Sequence, residues 1–182
     1  IPEIEVTTGP LGQGITNAVG LALTEQFLAA KFNKPDIKLF THRVWCIASD
    51  GDMMEGISSE AASFAGHQQL NNLVVFYDSN HITIDGKTDI TFTDDVAQRF
   101  KSYGWATIDV KNADENFKEI SNAIRSSIKD QIQPVLIILH TTIGYGSVLA
   151  NTSKAHGSPF NDDQLIAIKK KFGFNPEDHF KV

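Results

Sequence analysis

Val44-Trp45-Cys46-Ile47-Ala48-Ser49-Asp50-Gly51-Asp52-Met53-Met54-Glu55-Gly56 runs from an apolar segment into acidic and small residues. Further on, Leu73-Val74-Val75-Phe76-Tyr77-Asp78-Ser79-Asn80-His81-Ile82 repeats the arrangement. Each apolar run, Val44 to Ala48 and Leu73 to Tyr77, reads as a buried strand, and each ends in a turn bearing oxygen ligands. An Ala- and Ser-rich segment, about Gly56 to Gln69, reads as the helix between them. Strands that are continuous apolar runs and alternate with helices predict an α/β fold, a parallel sheet with helices on both faces. In such sheets the C-terminal strand ends face the ligand crevice. Asp50 and Asn80 can therefore meet across it. Both are hard oxygen donors, suited to Mg²⁺ or Ca²⁺ carrying a phosphate ligand.

Working outward, the 182 residues fit one domain or a large piece of one. The net charge of -6 and the lack of a basic stripe give no support to nucleic-acid binding. The apolar runs are strand-sized, far below a membrane span. A single cysteine, Cys46, excludes an intramolecular disulfide framework and suits a reducing, cytoplasmic setting. The chain opens on Ile1-Pro2 without an initiating methionine, which suggests an excised or processed segment.

On the N-terminal side, Thr7-Thr8-Gly9-Pro10-Leu11-Gly12-Gln13-Gly14 is a Gly-rich loop. Ile15 to Phe32 follows as an amphipathic helix, with apolar residues at 15, 19, 23, 27 and 28. A Gly-rich loop leading into a helix is a recurring anion site, although a plain turn and cap explains it as well. On the C-terminal side, Ile82 to Lys87 reads as an extended piece with an Asp-Gly turn. Thr93-Asp94-Asp95-Val96 starts a helix that ends near Gly104. Trp105–Val110 and Val135–Leu139 read as strands around a helix from Asp114 to Lys129. A second Gly-rich loop spans 141–147, a polar loop holds His156, and a last helix covers about Asp162 to Lys171.

Asp50-Gly51, then Asp52 through Tyr77, then Asp78-Ser79-Asn80 has the spacing of the thiamine-diphosphate signature. The other motifs fall in order around it: Thr7 to Gly14, Met54-Glu55-Gly56, Ile82-Thr83-Ile84-Asp85-Gly86, Thr142-Ile143-Gly144-Tyr145-Gly146 and Ala155-His156-Gly157-Ser158-Pro159. Taken together the chain resembles the thiamine-diphosphate-binding domain of transketolase over essentially its whole length. The resemblance implies that residues 1–182 are part of an N-terminal domain and that the other domains are absent. It implies thiamine diphosphate as cofactor, with Mg²⁺ (or Ca²⁺ or Mn²⁺) held by Asp50, Asn80 and the carbonyl of Ile82. Gly9, Pro10, Leu11 and Gly51 would lie against the cofactor. Ile82, Ile84 and Ile143 would flank its rings. His156 would reach both diphosphate and substrate as the catalytic residue. Glu55 and Glu60 would lie near the contact between two subunits of a homodimer. The substrates implied are sugar phosphates, a ketose donor and an aldose acceptor.

One departure is Ser49, where the family usually has glycine. The family's channel histidines, its cofactor-activating glutamate and most of its sugar-phosphate-binding basic residues have no counterpart here. The isolated chain is therefore expected to show no turnover.

Plainer roles stand beside these. Asp50 and Asn80 alone are turn residues, and Glu55 and Glu60 can be mere helix N-terminal acids. Asp52 and Asp78 are expected to make turn hydrogen bonds. His42, His67, His81, His140 and His179 lack zinc spacing. The small residues 61, 62, 65 and 66 fit either a dimer contact or a tight intradomain contact. Within the same chemistry, dihydroxyacetone synthase, phosphoketolase and 1-deoxyxylulose-5-phosphate synthase are alternatives. A non-catalytic module that kept the fold is another, and an EF-hand-type calcium site lacks its spacing.

Overall fold

The structure, a computed structural model, describes residues 3–129 and 131–181, so Ile1 and Pro2 of the opening segment lie outside it. The elements run α1 (Gln13–Phe32), β1 (Val44–Ser49), α2 (Asp50–Met54), α3 (Gly56–His67) and β2 (Leu73–Ser79). They continue with α4 (Val96–Ser102), β3 (Ala106–Val110), α5 (Phe117–Ile128), β4 (Val135–His140), α6 (Lys154–Gly157) and α7 (Asp162–Lys171). The four strands form one parallel sheet in the order β1-β2-β4-β3. Register aligns the C-terminal ends of three strands: Ser49 pairs with Asp78, and Ser79 with His140. Every ligand candidate at those ends thus shares one rim.

Successive strand residues face opposite sides of the sheet. On one face Cys46, Ala48, Val75, Tyr77 and Ile138 pack against α1, α3 and α4. On the other, Val74, Val135 and Ile137 pack against Ala123 of α5. Helices on both faces are as expected, but coverage is unequal. β1 was expected to be a fully buried strand. It is instead buried on alternate residues, with Trp45 44% and Ile47 80% exposed. Among the described residues the helix on that face is α5, which packs on β3 and β4.

The stripe expected on α1 also needs correction. Ile15 and Val19 are buried, but Leu23 and Phe27 are exposed; the inward face continues through Ala18, Ala22 and Glu25. An i, i+4 row drifts about 40° per step around a helix of 3.6 residues per turn. By Phe27 that row has left the core side.

The small residues of α3 serve an intradomain contact. Ala62, Ala65 and Gly66 are buried, and the Trp105 indole Nε1 donates to the Ala62 carbonyl at 2.8 Å. A Cβ on Gly66 would stand 1.8 Å from the Tyr103 carbonyl oxygen.

Candidate functional site

The expected turn after β1 is a short helix that begins at Asp50 itself. Ser49 has φ -128° and ψ -175°, ordinary extended backbone, so no glycine is needed there. Asp52 closes the first turn of α2: one carboxylate oxygen accepts from Ser49 N at 2.9 Å, the other from Gly12 N at 2.9 Å. It thereby ties the first Gly-rich loop to α2, the structural role expected of it. Gly12 has φ 79°, and a Cβ there would meet Glu55 and Ile57 within 2.9 Å, so this close approach requires glycine.

Asp50 is 1% exposed. The Tyr77 hydroxyl donates to its Oδ1 at 2.6 Å. Asn80 N and His81 N donate to its Oδ2 at 3.1 and 2.8 Å. His81 has φ 61°, in the left-handed region, and this turn aims two successive N–H groups at one carboxylate oxygen. A carboxylate offers about four lone-pair positions. Three donors leave one, on Oδ1.

Asn80 is buried, and its Oδ1 accepts from Ile82 N at 3.0 Å. Ile82 pairs with Lys87 in a small antiparallel hairpin whose bonds flank it, Thr88 N to His81 O and Thr83 N to Gly86 O. Ile82 thus occupies a non-hydrogen-bonded pair, with its N–H and C=O directed out of the hairpin. The N–H serves Asn80, and the carbonyl stays outside the ladder. Three residues of one cavity wall therefore offer a carboxylate oxygen, a carboxamide oxygen and a carbonyl oxygen with spare lone pairs. This is a hard-oxygen set, and it fits Mg²⁺ or Ca²⁺. With one carboxylate it leaves one of the cation's two positive charges for an anionic ligand. Among the described residues no cluster of three His, Cys, Asp or Glu side chains forms a metal site.

These groups line a cavity of ≈ 660 Å³, together with Tyr77, Thr141 and Thr142. Among the described residues Lys87 is the one lysine on its wall, against the carboxylates of Asp50, Asp89 and Asp94. Arg99 holds Asp94 of that wall at 2.8 Å and donates to the Met53 carbonyl at 2.7 Å. The second Gly-rich loop is held by Asp78, which accepts from the Thr141 hydroxyl, and by Asp114, which accepts from Thr142 N at 3.1 Å. Asp78 thus has the structural role expected of it.

The remaining candidates sit around this centre. Gly51 lies under Leu11, whose Cδ1 would be 3.0 Å from a Cβ on it. Gly9, Pro10 and Leu11 are exposed. Ile143 lines a neighbouring apolar cleft of ≈ 570 Å³ with Ile47, Phe76, Ile124 and Leu139; Thr141 and Thr142 border both cavities. His156 is exposed, on the short helix α6 rather than in a loop. The next residue, Gly157, packs on Ile84, and Ala155 packs on Gly144. Glu55 and Glu60 are exposed at the start of α3. Tyr77 was read only as strand core. Its link to Asp50 follows from register, because it pairs with Ala48, two residues before Asp50. Burial, and then the Asp50 hydrogen bond, push the Tyr77 hydroxyl above its ordinary pKa, so it stays a donor.

Comparison with known proteins agrees with this geometry. The family profile described as transketolase, thiamine diphosphate binding domain, matches residues 1–182. A transketolase of Scheffersomyces stipitis is 48% identical over 100% of this chain, and the chain covers 27% of that relative. A chloroplastic transketolase-1 of Arabidopsis thaliana is 50% identical over 100% of the chain, which covers 24% of it. Among solved structures, transketolase from Leishmania mexicana superposes with a TM-score of 0.96 at 44% identity, covering 100% of this chain and 27% of that one. The chain thus spans about a quarter of the length of its relatives. With the profile matched from end to end and the sheet superposed on solved members, the chain belongs to the transketolase family, as its thiamine-diphosphate-binding domain.

Proposed function

We propose that this chain is the diphosphate- and metal-holding part of a transketolase. That enzyme moves a two-carbon ketol unit from a ketose phosphate to an aldose phosphate. The observation that supports the reading is that Asp50, Asn80 and Ile82 line one cavity at the strand ends. Solved Pichia stipitis transketolases in complex with xylulose 5-phosphate and sedoheptulose 7-phosphate, both 48% identical to this chain, support sugar phosphates as substrates.

Asp50 Oδ1, Asn80 Oδ1 and the Ile82 carbonyl would hold Mg²⁺, with Ca²⁺ or Mn²⁺ able to replace it. The acidic wall makes the cation necessary, since a diphosphate would otherwise face carboxylates with little compensation. Gly51, under Leu11, together with Gly9 and Pro10, would present backbone to the diphosphate. Ile82, Ile84 and Ile143 would exclude water from the cofactor's rings. When bound, thiamine diphosphate supplies the carbanion-stabilising chemistry that the protein lacks. His156, exposed on α6, would donate a hydrogen bond or proton to a substrate oxygen. Glu55 and Glu60 would face a second subunit in a homodimer.

The test is a product assay on the full-length protein with thiamine diphosphate, Mg²⁺, xylulose 5-phosphate, ribose 5-phosphate and inorganic phosphate, read by mass spectrometry. Sedoheptulose 7-phosphate, abolished in Asp50→Ala, is the expected result. Acetyl phosphate instead means phosphoketolase. No product from folded, cofactor-saturated protein sinks the reading in favour of another acceptor or a non-catalytic module.

A further inference from the structure

We propose that Tyr77 is a positioning residue that sets the metal selectivity of the site by orienting Asp50 Oδ1. The inference rests on the reading of Asp50 as a metal ligand. Both backbone donors to Asp50 fall on Oδ2, at 3.1 and 2.8 Å, and Oδ2 is thereby filled. Only Oδ1 has a lone pair left, and among the described residues its single partner is the Tyr77 hydroxyl at 2.6 Å. The oxygen that would meet a cation is therefore the one whose direction Tyr77 decides.

Tyr77 is itself held firmly. It is 4% exposed, sits in the middle strand pairing of the sheet between Ala48 and Ile138, and belongs to the core against α1 and α3. It lines the cavity beside Asp50, to which its hydroxyl donates. Packing fixes the ring, the ring fixes the hydroxyl, and the hydroxyl fixes the carboxylate plane. Partners of this kind typically change metal affinity 10–100-fold when removed.

The consequence differs between cations. Mg²⁺ demands near-ideal octahedral directions at short range, whereas Ca²⁺ accepts six to eight ligands in flexible geometry. A carboxylate free to swing should therefore cost Mg²⁺ more than Ca²⁺. A purely structural role for Tyr77 would weaken both alike.

The experiment uses the full-length protein freed of metal and cofactor. Thiamine diphosphate binding is measured by calorimetry over a series of Mg²⁺ and, separately, Ca²⁺ concentrations, for the parent, Tyr77→Phe and Asp50→Asn. Tyr77→Phe should raise the half-saturating Mg²⁺ concentration about 10-fold or more and that of Ca²⁺ by less than about 3-fold. Equal shifts for the two cations, or no shift, overturn the proposal. Asp50→Asn separates the two levels. If it leaves both metal dependences unchanged, the metal-site reading fails; if it abolishes them while Tyr77→Phe is silent, only the role of Tyr77 fails. Should Tyr77→Phe not fold, site-specific fluorotyrosine at 77 replaces it, keeping the ring and changing the strength of the hydroxyl as a donor. An unchanged Mg²⁺ to Ca²⁺ ratio there likewise overturns the proposal.

Discussion

Asp50 and Asp52 are chemically identical and two residues apart, yet they face different tasks. Helical rotation of about 100° per residue turns them roughly 200° from each other on α2. Asp50 points into the cavity, while both oxygens of Asp52 hold backbone N–H groups. Asp52 also acts on Cys46, three residues inside the end of β1. Burial, reinforced by the Asp52 charge, pushes the Cys46 thiol from 9.0 up to about 11. The native state therefore keeps this proton between pH 9 and 11, where the unfolded chain loses it. Stability contributed by the neutral thiol is full below pH 9 and falls as pH rises through this window, by roughly 2 kcal/mol at its upper end. Tyr77, also raised, extends the loss to higher pH. Urea unfolding across pH 8 to 11 should show the decline, and Cys46→Ala should flatten it. A variant profile as steep as the parent's would assign the alkaline loss to other groups.

Among elements, α3 depends most on a single position. Gly66 touches the turn between α4 and β3, with the Tyr103 carbonyl where a Cβ would be. Backbone cannot yield as a flexible side chain does. Gly66→Ala should cost about 3 kcal/mol, above the helix-propensity gain of about 1 kcal/mol for leaving glycine. A lowered urea midpoint, with the loss of Trp105 burial seen in fluorescence, is the expected readout; an unchanged midpoint would mean that α3 shifts freely. Elements with strong local signals were legible beforehand. α7 begins at Asp162, where Asn161 accepts from Gln164 N at 2.9 Å, and α4 begins after Asp95, which accepts from Gln98 N at 2.9 Å. α2 and α6 were not legible, because helices this short carry no periodicity to read.

At the scale of the molecule, the unevenly covered sheet dominates. Trp45 and Ile47 stand open on one face, Trp45 stacks on Phe76 at 5.7 Å, and an apolar cleft lined by Ile47, Phe76 and Ile143 adjoins them. Contiguous apolar surface of this kind marks an interaction site or an association liability. The isolated 182-residue chain should bind anilinonaphthalene sulfonate and self-associate in sedimentation. Ile47→Lys should reduce both, with little change in stability, because Ile47 is already 80% exposed. A parent chain that stays monomeric and dark to the dye at high concentration would show that this face is not adhesive.

The sequence by itself determined the fold class, the strand order along the chain and the pair Asp50 and Asn80. These are written in local patterns: apolar runs, turn residues and the spacing between two strand ends. Only the tertiary structure decided which lone pair of Asp50 is free, that the Ile82 carbonyl stands outside its hairpin, and that Tyr77 holds the carboxylate. It also decided that Leu23, Phe27 and Ile47 face outward although they are as apolar as their buried neighbours. The reason is physical. Hydrophobicity states that a side chain gains by leaving water, but not whether this chain provides something to cover it. A carboxylate's remaining lone pair is likewise fixed by donors that the sequence holds about thirty residues away and that the parallel register brings within 3.1 Å.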